Sequence, residues 1–584
     1  MRTQRKLFAL FAAPALVLFG CGSGPDQPQT VAGDFADALT RADIAAAAAL
    51  TDDPAAATSA LDQLYDGLGK QVEFQVDSTD DDEFTLAATW KFGKGAAGEW
   101  NYTTTGTARD RDGWKVHWDP ATIAPGLAMG PLEYSPLAPA PARILDSAGG
   151  ELMTRQVVTL VNIAPGADLP AVAPVLAPFA PGITAQSLQA DLAAAEGAPV
   201  TAITLRASDI EPIANALAAI RGVTLAPQTR LLTTDKALSS PTLSGLADLW
   251  QSTTDAATGW SVHPVNPDVS GRVAGGDPRP TSDIRTTLDP AIQRNAEAAL
   301  DAIAQPAAVV ALRPSTGAVV AMAQNAPADA QGPIALTGLY PPGSTFKTVT
   351  VSAAMQAGEV TPDTVLPCPG VADIEGRRIP NDGNFDLGPV ALHTAFARSC
   401  NTTMAALGVG LPPDGLTNAA AQLGLGVDFV TPGLTTVTGK VPTADTPAMR
   451  VESSIGQGRV TASPFGMALV AASIARGSVP APVLVAGQPG VADRTPQPLP
   501  PATAEQIETM MRETVTGGTA TQLGDIPGLL GKTGTAEYGD NTHAHGWFVG
   551  IDAPSDLAFA VFVADAGSSA PAVEAAGRML RAPR

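Results

Sequence analysis

The run Pro341-Pro342-Gly343-Ser344-Thr345-Phe346-Lys347 limits the fold of this chain more than any other stretch. Two successive prolines lack the N–H that a helix or strand interior needs, and the glycine after them supplies a turn. One element must stop there and another begin at or near Ser344. Residues 345–355 carry a helical pattern with Phe346, Val349 and Ala353 on the inward side. Ser344 is thus placed by the positive end of a helix, among unpaired N–H groups that can stabilise an oxyanion. Lys347 is three residues on and shares its helix face. Two readings compete. Ser344 is an N-cap followed by a surface lysine, or it is a nucleophile whose base is a lysine forced neutral.

At 584 residues the chain exceeds what one core supports, and about three or four domains are expected. Its 45% hydrophobic content is ordinary globular material. The formal charge of −22 leaves no basic footprint and excludes nucleic acid as a partner. Only nine lysines occur, so a lysine standing in a motif carries weight.

Arg2, Arg5 and Lys6 precede an apolar run at 7–20, too short for a membrane span and suited to a signal peptide. With Cys21 after Leu18-Phe19-Gly20, residues 1–20 resemble a bacterial lipoprotein signal, which implies lipidation of Cys21 and a polar linker at 21–29. A plain cleaved signal or an uncleaved anchor is the alternative. Each places the rest of the chain outside the cytoplasm. The two other cysteines, Cys368 and Cys400, are no disulfide scaffold. A bridge between them stays open, with two free, semi-buried thiols favoured.

Helical segments at 31–68 precede strands of period two at 72–76, 84–90, 100–108 and 114–118, which reads as a small α+β domain. His117 there is a strand residue beside packing tryptophans. Residues 134–271 turn Pro- and Ala-rich, with amphipathic helices expected at 169–176 and 210–220. Thr233 and Lys236 repeat the hydroxyl-x-x-lysine spacing without a following apolar helix and read as loop. Beyond the linker at 272–283, a strand at 284–288, a helix at 290–303 and a hairpin at 307–322 come first. Helical material then continues to about 474, and a helix at 504–515 follows a Pro-rich loop. Strands at 531–536, 546–550 and 558–563 and a last helix from Pro571 close the chain. A helical body is therefore inserted into a sheet built from both ends of the domain.

Ser344/Lys347 is the only Ser-x-x-Lys in the chain. The only Ser-x-Asn, Ser399-Cys400-Asn401, follows 55 residues later, and the only Lys-Thr-Gly, Lys532-Thr533-Gly534, a further 133 on, extended by Thr535. This set belongs to the serine penicillin-recognising enzymes. On these motifs, with Gly456-Gln457-Gly458, Gly518-Thr519-Ala520 and Gly546-Trp547-Phe548-Val549-Gly550, residues 284–584 resemble the transpeptidase domain of a class B penicillin-binding protein. Residues 30–133, closing on Trp118-Asp119-Pro120, are similar to the NTF2-like domain of the methicillin-resistance subgroup, and 134–271 resemble its dimerisation or pedestal domain. The fold class this implies is multidomain α+β: the NTF2-like domain, the elongated pedestal, and a serine β-lactamase/transpeptidase-like α/β domain with an antiparallel sheet and inserted helical subdomain.

The resemblance implies a lipid-anchored peptidoglycan D,D-transpeptidase on the outer face of the cytoplasmic membrane. Its substrates would be D-Ala-D-Ala stem peptides, its inhibitors β-lactams and its partner a membrane glycan polymerase, with no cofactor. Ser344 attacks, Lys347 takes its proton, Ser399 relays a proton to the leaving nitrogen, and Asn401 holds Lys347 and a substrate amide. Lys532, Thr533, Gly534 and Thr535 form the strand that grips the terminal carboxylate. The N–H groups of Ser344 and Thr535 form the oxyanion hole. A D,D-carboxypeptidase and a low-turnover penicillin-binding sensor or scaffold are the alternatives. A class A β-lactamase is excluded by the missing Glu-x-x-Leu-Asn after Asn401, and a P-loop by Ile526 where glycine is required. His543 and His545 have metal-like spacing without a further ligand and are read as a hairpin turn before Trp547 on the solvated rim of the cleft, with no metal. Trp547 and Phe548 are expected to pack under the sheet, and Gln457 to be structural or a cleft contact.

Overall fold

The computed structural model describes residues 27–93, 98–110, 113–266, 271–539 and 543–583. The signal segment and Cys21 lie outside the described residues. Among the described residues no helix is long and apolar enough to cross a membrane.

The chain divides into two compact units, one running to Ala140 and including Thr254–Thr281, the other Pro141–Thr253 with Ser282 onwards. In the first, helices Pro28–Thr40, Ile44–Ala49 and Pro54–Leu68 cover a four-stranded antiparallel meander. Asp43 and Asp53 cap the second and third helices by accepting from Ala46 and Ala56 N–H. Strand Glu83–Phe92 alternates as its sequence requires, burying Phe84, Leu86, Ala88, Trp90 and Phe92 against Phe35, Leu39, Leu61 and Leu64. His117 bonds Asp52 through Nδ1 at 2.8 Å. Strand Leu132–Leu137 pairs with Gly259–Pro264, so this unit is closed by a segment far along the chain.

The second unit opens with a five-stranded sheet around the long strand Glu151–Ile163. Helix Leu169–Leu176 forms as expected. The helix expected at 210–220 does not: it is two short helices, Ala207–Ile210 and Ala214–Ala218, because Pro212 lacks the N–H that would carry the ladder through. The strand expected at 284–288 is only Ile284–Arg285, and the helix expected at 290–303 stops at Leu300.

The C-terminal part of this unit is built on strands β1 (Ala307–Leu312), β2 (Val319–Gln324), β3 (Leu529–Tyr538), β4 (His543–Asp552) and β5 (Leu557–Val563). They pair antiparallel in the order β2-β1-β5-β4-β3, which leaves β3 on an edge. The helices that matter here are α1 (Pro290–Leu300), α2 (Lys347–Gln356), α3 (Leu392–Ala397), α4 (Asn401–Gly410), α5 (Pro447–Ser454), α6 (Pro464–Arg476), α7 (Pro501–Thr516) and α8 (Ala570–Arg581). Both sheet faces are covered, so β1, β2 and β5 are buried throughout. Val309, Phe548, Phe559 and Val561 meet α1 and α8, while Val310, Trp547, Val549 and Phe562 meet the inserted body and α6. Trp547 and Phe548 thus pack on opposite faces, as period-two alternation demands.

The inserted body is less purely helical than its sequence suggests. Short strands at Val365–Cys368, Val371–Ile374, Arg377–Pro380 and Gly388–Ala391 interrupt it. Helix α2 has no solvent face either: Lys347 to Ala354 are all buried. Its polar residues are accommodated by hydrogen bonding, Thr348 to Thr345 C=O at 2.8 Å and Thr350 to Ser454 C=O at 2.7 Å. Cys368 and Cys400 form a disulfide with Cα atoms 6.2 Å apart, which corrects the favoured expectation of two free thiols. Their separation of 32 residues hides the fact that strand Val365–Cys368 packs beside α4.

Candidate active site

Ser344 lies in a 3-10 turn, Gly343–Phe346, that runs into α2 at Lys347. It is therefore inside the first turn rather than an N-cap, and it is half-buried. Three contacts hold the turn. Gly343 N–H donates to Gly456 C=O at 3.0 Å, Trp547 Nε1 donates to Pro341 C=O at 3.0 Å, and Phe346 is fully buried. Gly534 makes room for it: a Cβ there would come within 2.8 Å of Thr345 Cγ2. Gly534 is thus a packing glycine between β3 and the turn.

Ser399 owes its position to the end of α3. Ser399 N–H donates to Phe396 C=O at 2.9 Å and Cys400 N–H to Ala395 C=O at 2.8 Å, the paired bonds of a Schellman stop. Ser399 occupies the left-handed position of that motif, with φ at 61°, where glycine is usual. Helix α4 then starts at Asn401 without a cap from its own sequence. The cap comes from Asn381, whose Oδ1 accepts from Asn401 N–H at 2.7 Å and Thr402 N–H at 3.2 Å. Its Nδ2 donates to Pro369 and Phe385 C=O, both at 2.9 Å. Asn381 is 2% exposed and, with the disulfide, ties the Ser399-Cys400-Asn401 segment to the inserted strands.

Lys347 and Lys532 are both fully buried and meet at one hydroxyl. Lys347 Nζ donates to Ser399 C=O at 2.7 Å, Asn401 Oδ1 at 2.6 Å and Ser399 Oγ at 3.2 Å. Lys532 Nζ donates to the same Oγ at 3.0 Å and to Thr533 C=O at 2.9 Å, with the Phe396 ring 5.5 Å away. Burial lowers the Lys347 pKa well below its ordinary value, and the Lys532 charge lowers it further. Burial brings Lys532 down to about 7. A neutral Lys347 keeps two donors, for Ser399 C=O and Asn401 Oδ1, and turns its one lone pair to the Ser399 Oγ side, which is what a base needs.

The Thr533 hydroxyl shares a hydrogen bond of 2.5 Å with Thr519. Antiparallel pairing points both backbone groups of alternate residues to the same side. Thr533 and Thr535 thereby turn theirs toward the free edge of β3, and Thr535 C=O lies beside Gly343. So Lys347, Ser399, Asn401 and Lys532 come together directly, with Thr533 bonded to Lys532, and Gly534 and Thr535 packed on the Ser344 turn. Asn381 and Thr519 carry no motif signal of their own beyond the Gly518-Thr519-Ala520 segment.

The histidines depart from expectation. Both lie within β4 rather than in a turn, and only His543 is exposed. His545 is buried among Tyr340, Tyr538 and Phe562, its Nδ1 accepting from Asp565 N–H at 3.3 Å. Burial lowers its pKa, with Asp565 opposing. Among the described residues no group of His, Cys, Asp and Glu is arranged to hold a metal.

Residues 307–582 match the family described as penicillin binding protein transpeptidase domain, and residues 27–130 match the NTF2-like N-terminal transpeptidase domain. A curated relative from Mycolicibacterium smegmatis, named peptidoglycan D,D-transpeptidase PbpA, is 34% identical over 371 residues, spanning 53% of this chain and 72% of its own. The relative of that name from Mycobacterium tuberculosis is 32% identical over 365 residues with the same coverage. The solved complex of penicillin-binding protein PBP2 with MreC from Helicobacter pylori aligns at a TM-score of 0.56 and 16% identity, over 77% of this chain and 98% of that one, a likeness of fold.

Proposed function

The chain belongs to the penicillin-binding protein transpeptidase family, and from that premise we propose that it cross-links peptidoglycan as a D,D-transpeptidase acylated at Ser344. The observation that carries this is the pair of buried lysines sharing the Ser399 hydroxyl. Burying two amines so close is costly for folding, and a purely structural site gains nothing by it.

In the reaction Ser344 Oγ attacks the carbonyl carbon of the penultimate D-Ala while neutral Lys347 accepts its proton. The oxyanion is held by the N–H groups of Ser344 and Thr535. Charged Lys532, with Thr533 and Thr535, binds the terminal carboxylate. As the C–N bond breaks, a proton passes through Ser399 to the leaving amine, and D-Ala departs. An amine of a second stem peptide then attacks the Ser344 ester, and the same groups return its proton. A β-lactam carboxylate and amide would use the same contacts and leave Ser344 acylated. Lipid on Cys21 would hold the enzyme at the outer face of the cytoplasmic membrane. A membrane glycan polymerase would supply the strands, since the matched transpeptidase region accounts only for cross-linking.

Labelled penicillin should acylate the wild type and not Ser344→Ala. Stem pentapeptide with an amine acceptor should then yield dimer. Labelling of Ser344→Ala would overturn the nucleophile, and release of D-Ala without dimer would overturn transpeptidation.

A further inference from the structure

The free edge of β3 is shorter than its sequence makes it look. Toward its C-terminal end the outward-facing residues are Thr533, Thr535 and Glu537. Thr533 C=O already accepts from Lys532 Nζ at 2.9 Å. Beyond Thr535, the side-chain amide of Gln457 lies against Glu537. In the orientation that pairs both its atoms, it donates to Glu537 C=O at 3.0 Å and accepts from Glu537 N–H at 3.1 Å. A carboxamide reproduces the donor and acceptor of one peptide unit, so Gln457 fills the place where the next residue of an added strand would pair.

The Gly456-Gln457-Gly458 loop is built to hold that amide in place. Gly456 and Gly458 have φ of 72° and 70°, in the left-handed region. A Cβ on Gly456 would lie 2.1 Å from Gly343 C=O, so only glycine lets the loop rest on the nucleophile turn. Gln457 N–H donates to Glu452 C=O at 3.1 Å, and Gly343 N–H to Gly456 C=O at 3.0 Å. The loop therefore spans from the Ser344 turn to the β3 edge.

We propose that Gln457 is a specificity-determining residue that closes the substrate edge of β3, confining backbone recognition of the acyl donor to Thr535. The proposal rests on the reading of Ser344 as the acylated residue, with the donor carboxylate at Lys532. The donor then runs from Thr535 toward Glu537, and its next pairing position is occupied. Residues further from the scissile bond leave the strand and are read by side chains or not at all. Donor peptides differing only in those residues are accepted alike.

The test uses the full chain and acyl donors ending in D-Ala-D-Ala, one short and one extended by two residues, with a third extended donor N-methylated at the amide that would face Glu537. Acylation of Ser344 is followed by mass spectrometry in wild type, Gln457→Ala and the packing-conserving Gln457→Met. Wild type should treat the extended donor and its N-methylated form alike. In both variants the extended donor should gain roughly threefold to tenfold over the short one, the worth of one or two hydrogen bonds, and N-methylation should erase the gain. Sensitivity of the wild type to N-methylation, or equal changes for short and extended donors in the variants, overturns the proposal. Labelled penicillin separates the two levels. Failure to label Ser344 in the wild type defeats the underlying reading, whereas labelling with the wrong donor pattern defeats only the role of Gln457.

Discussion

Replacing Lys532 by methionine should stabilise the catalytic sheet below neutral pH while abolishing its acylation by penicillin. Lys532 is fully buried, which brings its pKa to about 7. In the unfolded chain a lysine holds its proton to about pH 10.4. Between those values the unfolded state binds a proton that the native state lacks, so native stability rises with pH through the window and the deficit is complete below about pH 7. At about 1.4 kcal/mol per pH unit that deficit is about 5 kcal/mol. Methionine removes it. Against the gain, Ser399 Oγ and Thr533 C=O each lose a donor, at 3.0 and 2.9 Å in the wild type, worth about 1 kcal/mol apiece. The variant should therefore be about 3 kcal/mol more stable at pH 6 and nearly equal to the wild type at pH 9. Hydrogen exchange of β4 and β5 amides, corrected for the pH dependence of the intrinsic rate, reads the opening of this sheet separately from the other unit. A difference that stays constant from pH 6 to 9 would show that Lys532 keeps its proton in the native state throughout, and the charge balance argued for Lys347 would fall with it.

Other measurements probe the same frame. Acylation by a β-lactam should rise with pH as Lys347 loses its proton and fall again above about 7 as Lys532 loses its own; Lys532→Arg should remove the falling limb of the stopped-flow profile. Reducing Cys368–Cys400 reopens a 32-residue separation and should lower stability by about 3–4 kcal/mol on the chain-entropy model, visible as a lower unfolding midpoint with phosphine present. Gly456→Ala, whose Cβ meets Gly343 C=O at 2.1 Å, should cost at least about 2 kcal/mol and slow penicillin labelling. Gly477→Ala, with nothing within 4 Å of its Cβ, should cost only about 1 kcal/mol and label normally. Asn381→Ala leaves two α4 N–H groups uncapped and should slow labelling about tenfold with only modest loss of thermal stability, an unchanged rate being the contrary result.

What the sequence discloses about the site depends on whether a feature is local. Pro341-Pro342-Gly343 declares a turn by its own backbone chemistry, and the motif lysines and serines stand out because each pattern occurs once. The strands of the catalytic sheet are legible for the same reason, since their apolar runs follow period two or full burial. Asn381 is not legible. Its function is to cap a helix that begins twenty residues later, and an isolated asparagine in a loop carries no mark of that. The disulfide was hidden likewise, because the separation of two cysteines says nothing of whether their Cβ vectors converge. His545 misled for the opposite reason: His-x-His before a Gly-Trp suggests an exposed turn, yet β4 continues through it and the tyrosines above it exclude water. At Pro212 the signal is local, and the missing N–H breaks the helix that apolar periodicity alone would carry through.

Ser399 shows how a site can announce itself by breaking a local rule. The helix α3 stops where neither glycine nor proline is present, in Arg398-Ser399-Cys400-Asn401, although a left-handed residue is needed for the stop. A side chain held at φ 61° costs about 1–2 kcal/mol relative to glycine. Glycine would be the stabilising choice at that position if folding alone decided it. It would also remove the one hydroxyl that both buried lysines contact. The strain is tolerable because the disulfide at Cys400 and the Asn381 cap fix the residues that follow. Serine in a glycine position, followed by a helix lacking its own cap, is thus a physical signature of chemistry that needs no homologue to recognise.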